Sequence, residues 1–93
     1  MALLRRTANV EEAPLQRELL LFDPVSTRFY LLNQTMAFVW RRCEGTSIET
    51  LVSEMAGAFE GVEEAVVRSD VGKAVSELES LGLVRLDTAQ GSG

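Results

Sequence analysis

A chain of 93 residues with 46% apolar side chains can build one small domain around one core, burying ~60–65% of the surface its unfolded form exposes. One cysteine and no histidine exclude a disulfide framework, a Cys/His zinc site and a histidine-based triad within this chain. The net charge of −5 divides into +2 over residues 1–43 and −7 over residues 44–93, and an acidic second half repels phosphate.

The opening stretch, MALLRRTANVEEA, has neither the apolar core of a signal peptide nor the length of a membrane span, so a cytoplasmic location is expected. Leu3, Leu4 and Ala8 surround Arg5 and Arg6, and Pro14 follows; one strand fits within 4–12, its register unfixed. Leu19 to Phe22 is a continuous apolar run bounded by Glu18 and Asp23-Pro24, the length of a strand and too short for a helix. Pro24-Val25-Ser26-Thr27 turns the chain. The aromatic run Phe29-Tyr30-Leu31-Leu32 suits a pleated surface, so the two runs are expected to pair as an antiparallel hairpin. Arg28 to Leu32 contains no Pro or Lys and no inward charge, and nothing in it guards against pairing with another chain. That segment reads as an acceptor for a visiting peptide strand. Alternation sets Tyr30 and Leu32 on one side and Phe29 and Leu31 on the other, where large apolar groups on a solvated face call for a partner.

From Asn33 the period changes from two to about 3.6. Asn33 is a good N-cap, Met36, Val39, Trp40 and Cys43 share one helical face, and Gly45 closes the helix. On that stripe Cys43 reads as a buried small hydrophobe, and Arg41-Arg42 complement the helix C-terminus. Thr46-Ser47-Ile48-Glu49 has the form of a capping box built on Thr46 and Glu49. It opens a second helix with Ile48, Leu51, Val52, Met55 and Phe59 buried and Gly57 and Gly61 about its end. A third helix begins near Glu63-Glu64, presents Val67, Val71, Ala74, Val75, Leu78 and Leu81 at helical spacing, and ends at Gly82. Leu83 to Leu86 suits a short extended piece. The expectation is one α+β domain over 1–87, with an N-terminal antiparallel sheet of two or three strands followed by three helices as in a winged helix-turn-helix. Residues 88–93 form a frayed tail.

In that order and spacing, Phe29-Tyr30-Leu31-Leu32-Asn33, Trp40, Glu44-Gly45-Thr46 with Ile48 and Leu51, Ser69-Asp70-Val71, Leu78 and Leu81-Gly82-Leu83 resemble the PqqD-like family. These are recognition elements for the precursors of ribosomally synthesised, post-translationally modified peptides. The resemblance spans roughly residues 15–86. It implies a non-catalytic module, with no cofactor or metal, that binds a precursor's leader segment and delivers it to modifying enzymes. It places the leader along the third strand against the third helix. Carried over, the pairing edge is Arg28, Phe29, Tyr30, Leu31 and Leu32, with Tyr30 and Leu32 inward, and the helical wall is Val67, Asp70, Val71, Ala74 and Leu78. The physics of strand addition supports that mechanism: a free edge gives affinity through main-chain hydrogen bonds, and pockets for alternate side chains give selectivity. Gly72 and Ala74 stand where relatives carry bulkier residues. Their small size is expected to deepen the groove for one large leader side chain such as Tyr, with a close packing approach at Gly72.

Relatives acting in pyrroloquinoline quinone synthesis open with Arg-Pro and carry a Pro-Glu-Gly-like turn, and this chain has neither. The aromatic strand running into Leu32-Asn33 is similar instead to free-standing members of lasso peptide biosynthesis. That likeness implies a Tyr-x-x-Pro type leader motif, a separate cysteine leader peptidase and an ATP-dependent cyclase as partners. It implies a monomer that contacts neither nucleic acid nor membrane. The turn at Pro24 to Thr27 lacks the Gly of many relatives. Other readings stay open at this point: a chaperone of the pyrroloquinoline quinone or another modified-peptide pathway, a winged-helix DNA-binding regulator, or a dimerisation module using the same edge. Against the DNA reader, the segment Glu63 to Leu81 holds only Arg68 and Lys73 against five acids, where a DNA-reading helix clusters Lys and Arg.

Overall fold

Cross-strand pairing puts the large apolar side chains of residues 19–32 on opposite sides of one small sheet, and the rest of the fold is arranged around the inner side. The computed structural model describes residues 2–59 and 61–88. In chain order it has β1 (Ala2–Arg6), β2 (Glu11–Pro14), β3 (Leu19–Asp23), β4 (Arg28–Leu32), α1 (Gln34–Arg42), α2 (Ile48–Ala58), α3 (Glu64–Ser80) and β5 (Val84–Thr88). The expected α+β order, sheet first and three helices after, is what the chain adopts.

The hairpin pairs antiparallel, with Leu19 opposite Leu32, Leu21 opposite Tyr30 and Phe22 opposite Phe29. Leu19, Leu21 and Leu32 are fully buried and Tyr30 is half-buried, while Phe29 is 67% and Leu31 56% exposed. The turn is an Asx-type turn, Asp23 Oδ1 accepting from the Val25 amide at 3.0 Å. Thr27 takes φ +55° there, the left-handed conformation that glycine adopts without cost and a β-branched residue resists.

The N-terminal region holds two strands where the sequence suggested one within 4–12. Strand β2 adds to β3, giving a three-stranded sheet in the order β2-β3-β4. Strand β1 pairs instead with β5, Leu4 opposite Leu86, so the extended piece expected at 83–86 is one half of a second sheet closed by the chain's two ends. Local pattern misses such a pairing because its partners lie 78 to 86 residues apart. Glu44 fixes β1 to the α1–α2 connection, its carboxylate accepting from the Arg6 amide at 2.8 Å. That hydrogen bond, helped by Arg5, holds the Glu44 carboxyl below the usual carboxylate range. Thr88 closes β5, and residues 89–93 of the expected tail lie outside the described residues.

The helix caps differ from expectation at one place. Asn33 caps α1 as anticipated, its side chain accepting from the Met36 amide at 2.8 Å. For α2 the cap is Ser47, not Thr46: Ser47 Oγ accepts from the Thr50 amide at 3.2 Å. Thr46 is held in a bridge to Leu4, and Glu49 is turned to Arg68 at 2.7 Å rather than back to its own helix. Helix α3 ends as predicted, with Gly82 at φ +78° and the Leu83 amide donating to the Leu78 carbonyl at 2.9 Å.

Helices α1 and α2 both pack on α3. The core joins Leu19, Leu21 and Leu32 of the sheet to Val39, Trp40, Leu51, Val52, Val67, Val71 and Leu78 of the helices. Trp40 places its indole N–H 3.0 Å from a Glu12 carboxylate oxygen while the Arg6 guanidinium lies 4.7 Å from its ring centre, so its one polar atom is satisfied at the rim of the core. Cys43 is fully buried, and burial pushes its thiol up to about 11.

Candidate functional site

The three-stranded sheet has two free edges, and they are not equivalent. Strand β2 carries Glu11, Glu12 and Pro14, the charges and proline that discourage strand pairing. Strand β4 carries Arg28, Phe29, Tyr30, Leu31 and Leu32 and is last in the sheet order. Among the described residues, no backbone hydrogen bond other than those to β3 involves 28–32. Alternate residues of β4 therefore turn amide and carbonyl groups to solvent.

Beside the C-terminal end of this edge lies an open groove of about 400 Å³ lined by Asn33, Thr35 and Met36 of the α1 start and by Asp70, Lys73, Ala74 and Glu77 of α3. The four α3 residues stand at i, i+3, i+4 and i+7, one face of a helix. Asn33 belongs to both features: it follows β4 directly and its side chain caps α1. A chain lying along β4 and passing its Leu32 end meets the groove next. The groove carries two carboxylates against one ammonium and an apolar floor from Met36 and Ala74, so it offers both hydrogen-bond acceptors and a nonpolar seat.

Of the residues expected to form the helical wall, Asp70 is exposed and lines the groove, and Ala74, only 4% exposed, forms part of its floor. Val67, Val71 and Leu78 lie within the core at 2%, 0% and 0% exposure; they support α3 from beneath instead of facing the groove. Lys73 and Glu77, which sequence reading did not include in the wall, line the groove beside Asp70 and Ala74. The spacing from Asp70 held this signal, since the residues three and seven further on share its face. Thr35 and Met36 had no such signal, because only the packing of α1 on α3 brings them to the site. The close approach expected at Gly72 is absent: a Cβ there would meet nothing within 4 Å. Gly72 is exposed and is not among the groove residues, which leaves the groove's depth to Ala74.

The architecture defines a class, the winged helix-turn-helix domain with its sheet first, here with an unguarded strand edge running into a helix-lined groove. Within that class the family model described as coenzyme PQQ synthesis protein D (PqqD) matches residues 18–84, and the chain belongs to that family. Two solved structures share the fold. One, described as TbiB1 in complex with the TbiA(beta) leader peptide, is 18% identical, covering 87% of this chain and 94% of that one with a TM-score of 0.73. The other, lasso peptide synthetase B1 complexed with the leader peptide, is 24% identical, covering 88% of this chain and 96% of that one with a TM-score of 0.70. A comparison with curated proteins found no significant match.

Proposed function

We propose that this domain is a non-catalytic recognition module for the leader segment of a ribosomally made precursor peptide. The leader adds as a strand to β4, and a side chain beyond the paired stretch enters the groove between α1 and α3. The observation that carries the reading is the unguarded β4 edge of the three-stranded sheet leading into that groove, in a chain of the PqqD family. Main-chain pairing supplies affinity that is tolerant of sequence, and the groove supplies the choice of side chain. Arg28, Phe29, Tyr30, Leu31 and Leu32 form the pairing edge, Asp70 and Ala74 with Lys73 and Glu77 form the wall, and Val67, Val71 and Leu78 hold that wall in place. Both similar structures hold a leader peptide and one is a lasso peptide synthetase component, which favours a lasso precursor, with a leader peptidase and an ATP-dependent cyclase as recipients in the cytoplasm.

A DNA-reading role is disfavoured by the state of α3. Arg68 is held by Glu49 at 2.7 Å and Glu64 at 3.0 Å, leaving Lys73 as its one unpaired cation among the described residues.

The test is fluorescence polarisation with labelled leader peptides encoded beside this gene. Saturable binding is expected, lost when alternate peptide amides are N-methylated, since methylation removes the donors that strand addition needs. Binding indifferent to N-methylation at either set of alternate positions sinks the strand-addition mechanism, and no binding to any neighbouring leader sinks the functional reading.

A further inference from the structure

A cleft of about 290 Å³ lies between the β2–β3 connection, α1 and the end of α2. Arg17, Arg41 and Arg42 line it, with Ala37, Phe38 and Phe59 forming an apolar wall. Among the described residues, the one carboxylate lining the cleft is Glu18. Arg5, Arg6 and Arg68 are each bound to a glutamate; the three cleft arginines, like Arg28 and Arg85 elsewhere, make no ion pair or side-chain hydrogen bond among the described residues. Arg42 is nonetheless held in place, its guanidinium 3.9 Å from the centre of the Phe38 ring, and Phe38 in turn packs on Phe59 at 5.8 Å.

Stacking on Phe38 fixes the plane of one guanidinium while leaving its N–H fork unpaired, an arrangement suited to a carboxylate. Arg41 and Arg42 lie in the last turn of α1, where they offset the partial negative charge of the helix end. That role alone calls for neither Arg17, which comes from a different part of the chain, nor an apolar wall. Three cations against one carboxylate outweigh the helix end's repulsion of an incoming anion, and the phenylalanines accept an apolar side chain between the charges.

We propose that this cleft docks an acidic segment of a partner protein, with carboxylates on Arg17, Arg41 and Arg42 and one apolar side chain against Phe38 and Phe59. The proposal is independent of leader binding at β4, which it leaves free. The occupant is a polypeptide because the cleft sets an apolar wall of Ala37, Phe38 and Phe59 beside its charges and the second half of the chain is acidic, which a phosphate backbone does not tolerate.

The experiment titrates the full chain with a fluorescein-labelled peptide, Glu-Glu-Leu-Glu-Glu-Phe-Glu, and with its counterpart carrying Gln for every Glu. Saturable binding is expected for the acidic probe, weakening with added salt, and about tenfold weaker for the Gln probe. Arg41→Glu with Arg42→Glu is expected to weaken the acidic probe at least about tenfold, with circular dichroism unchanged, and Arg17→Glu to weaken it on its own. Amide shift changes on binding are expected near Arg17, Phe38 and Arg42 and not along β4. Equal affinity for the two probes, shifts confined to β4 or α3, or an oligonucleotide displacing the probe at equal concentration would each overturn the proposal. Should the double variant lose its fold, the Arg17→Glu variant and the shift map decide the matter.

Discussion

Replacing Gly72 by alanine should make the protein more stable and leave its peptide binding untouched. Gly72 lies inside α3, eight residues beyond the helix start at Glu64, where glycine costs ~1 kcal/mol relative to alanine through backbone entropy. Beyond its own helical turn the added methyl would meet no atom within 4 Å, so packing contributes neither a clash nor a gain and the effect comes from the backbone. A stabilisation of ~1 kcal/mol corresponds to a rise of roughly 4–8 °C in Tm for a domain of this size, or to a shift of roughly 0.3–1 M in the urea midpoint at unchanged slope. Far-UV circular dichroism against urea, repeated with Trp40 fluorescence, measures it. In the same samples leader affinity should stay within error, because Gly72 does not line the groove. No gain in stability would mean that something packs on this face, and a drop in affinity would mean that the peptide or a partner uses it.

Ala74→Phe should lower leader affinity about tenfold or more, ~1.4 kcal/mol, by filling the floor of the groove, while Ala74→Ser should lower it little; polarisation titrations of both, with urea curves to exclude unfolding, check the pair. Thr27→Gly should stabilise by ~0.5–1 kcal/mol, since relief of a strained left-handed β-branched residue exceeds glycine's added entropy in the unfolded chain, and thermal melts measure it; a loss of stability would refute the strain argument. Cys43 should resist thiol reagents at pH 8 until the protein is unfolded, as its burial requires. Its folded thiol titrates near 11, above the ordinary range. Between about pH 9 and 11 the unfolded state therefore gives up the proton first, and stability falls with rising pH by up to ~1.4 kcal/mol per unit. The slope should be shallower in Cys43→Ala, and identical slopes in the two proteins would contradict it.

The hairpin, the Asn33 cap and the apolar stripes of the three helices were legible because each depends on neighbours within a few residues. Strand alternation put Phe29 and Leu31 outside, and helical spacing put Val67, Val71 and Leu78 inside. The family resemblance placed the same three residues in the helical wall, and a stripe of apolar residues does not by itself say whether it meets the core or a ligand. The same limit applied at Gly72, where a missing side chain is equally compatible with close packing and with open solvent.

The sequence by itself determined the central hairpin and the three helices, which of the hairpin's strands is unguarded, and where the charges are absent or dense, since composition and local spacing carry those properties. Only the tertiary structure decided that β1 and β5 pair across the length of the chain, that Ser47 caps α2 while Thr46 bridges to Leu4, and that Met36 meets Asp70 and Ala74 in one groove. It also decided that Arg17 joins Arg41 and Arg42. Each of these is a meeting of residues far apart in the chain, fixed by how the helices cross and the sheets close, and no local pattern records that geometry.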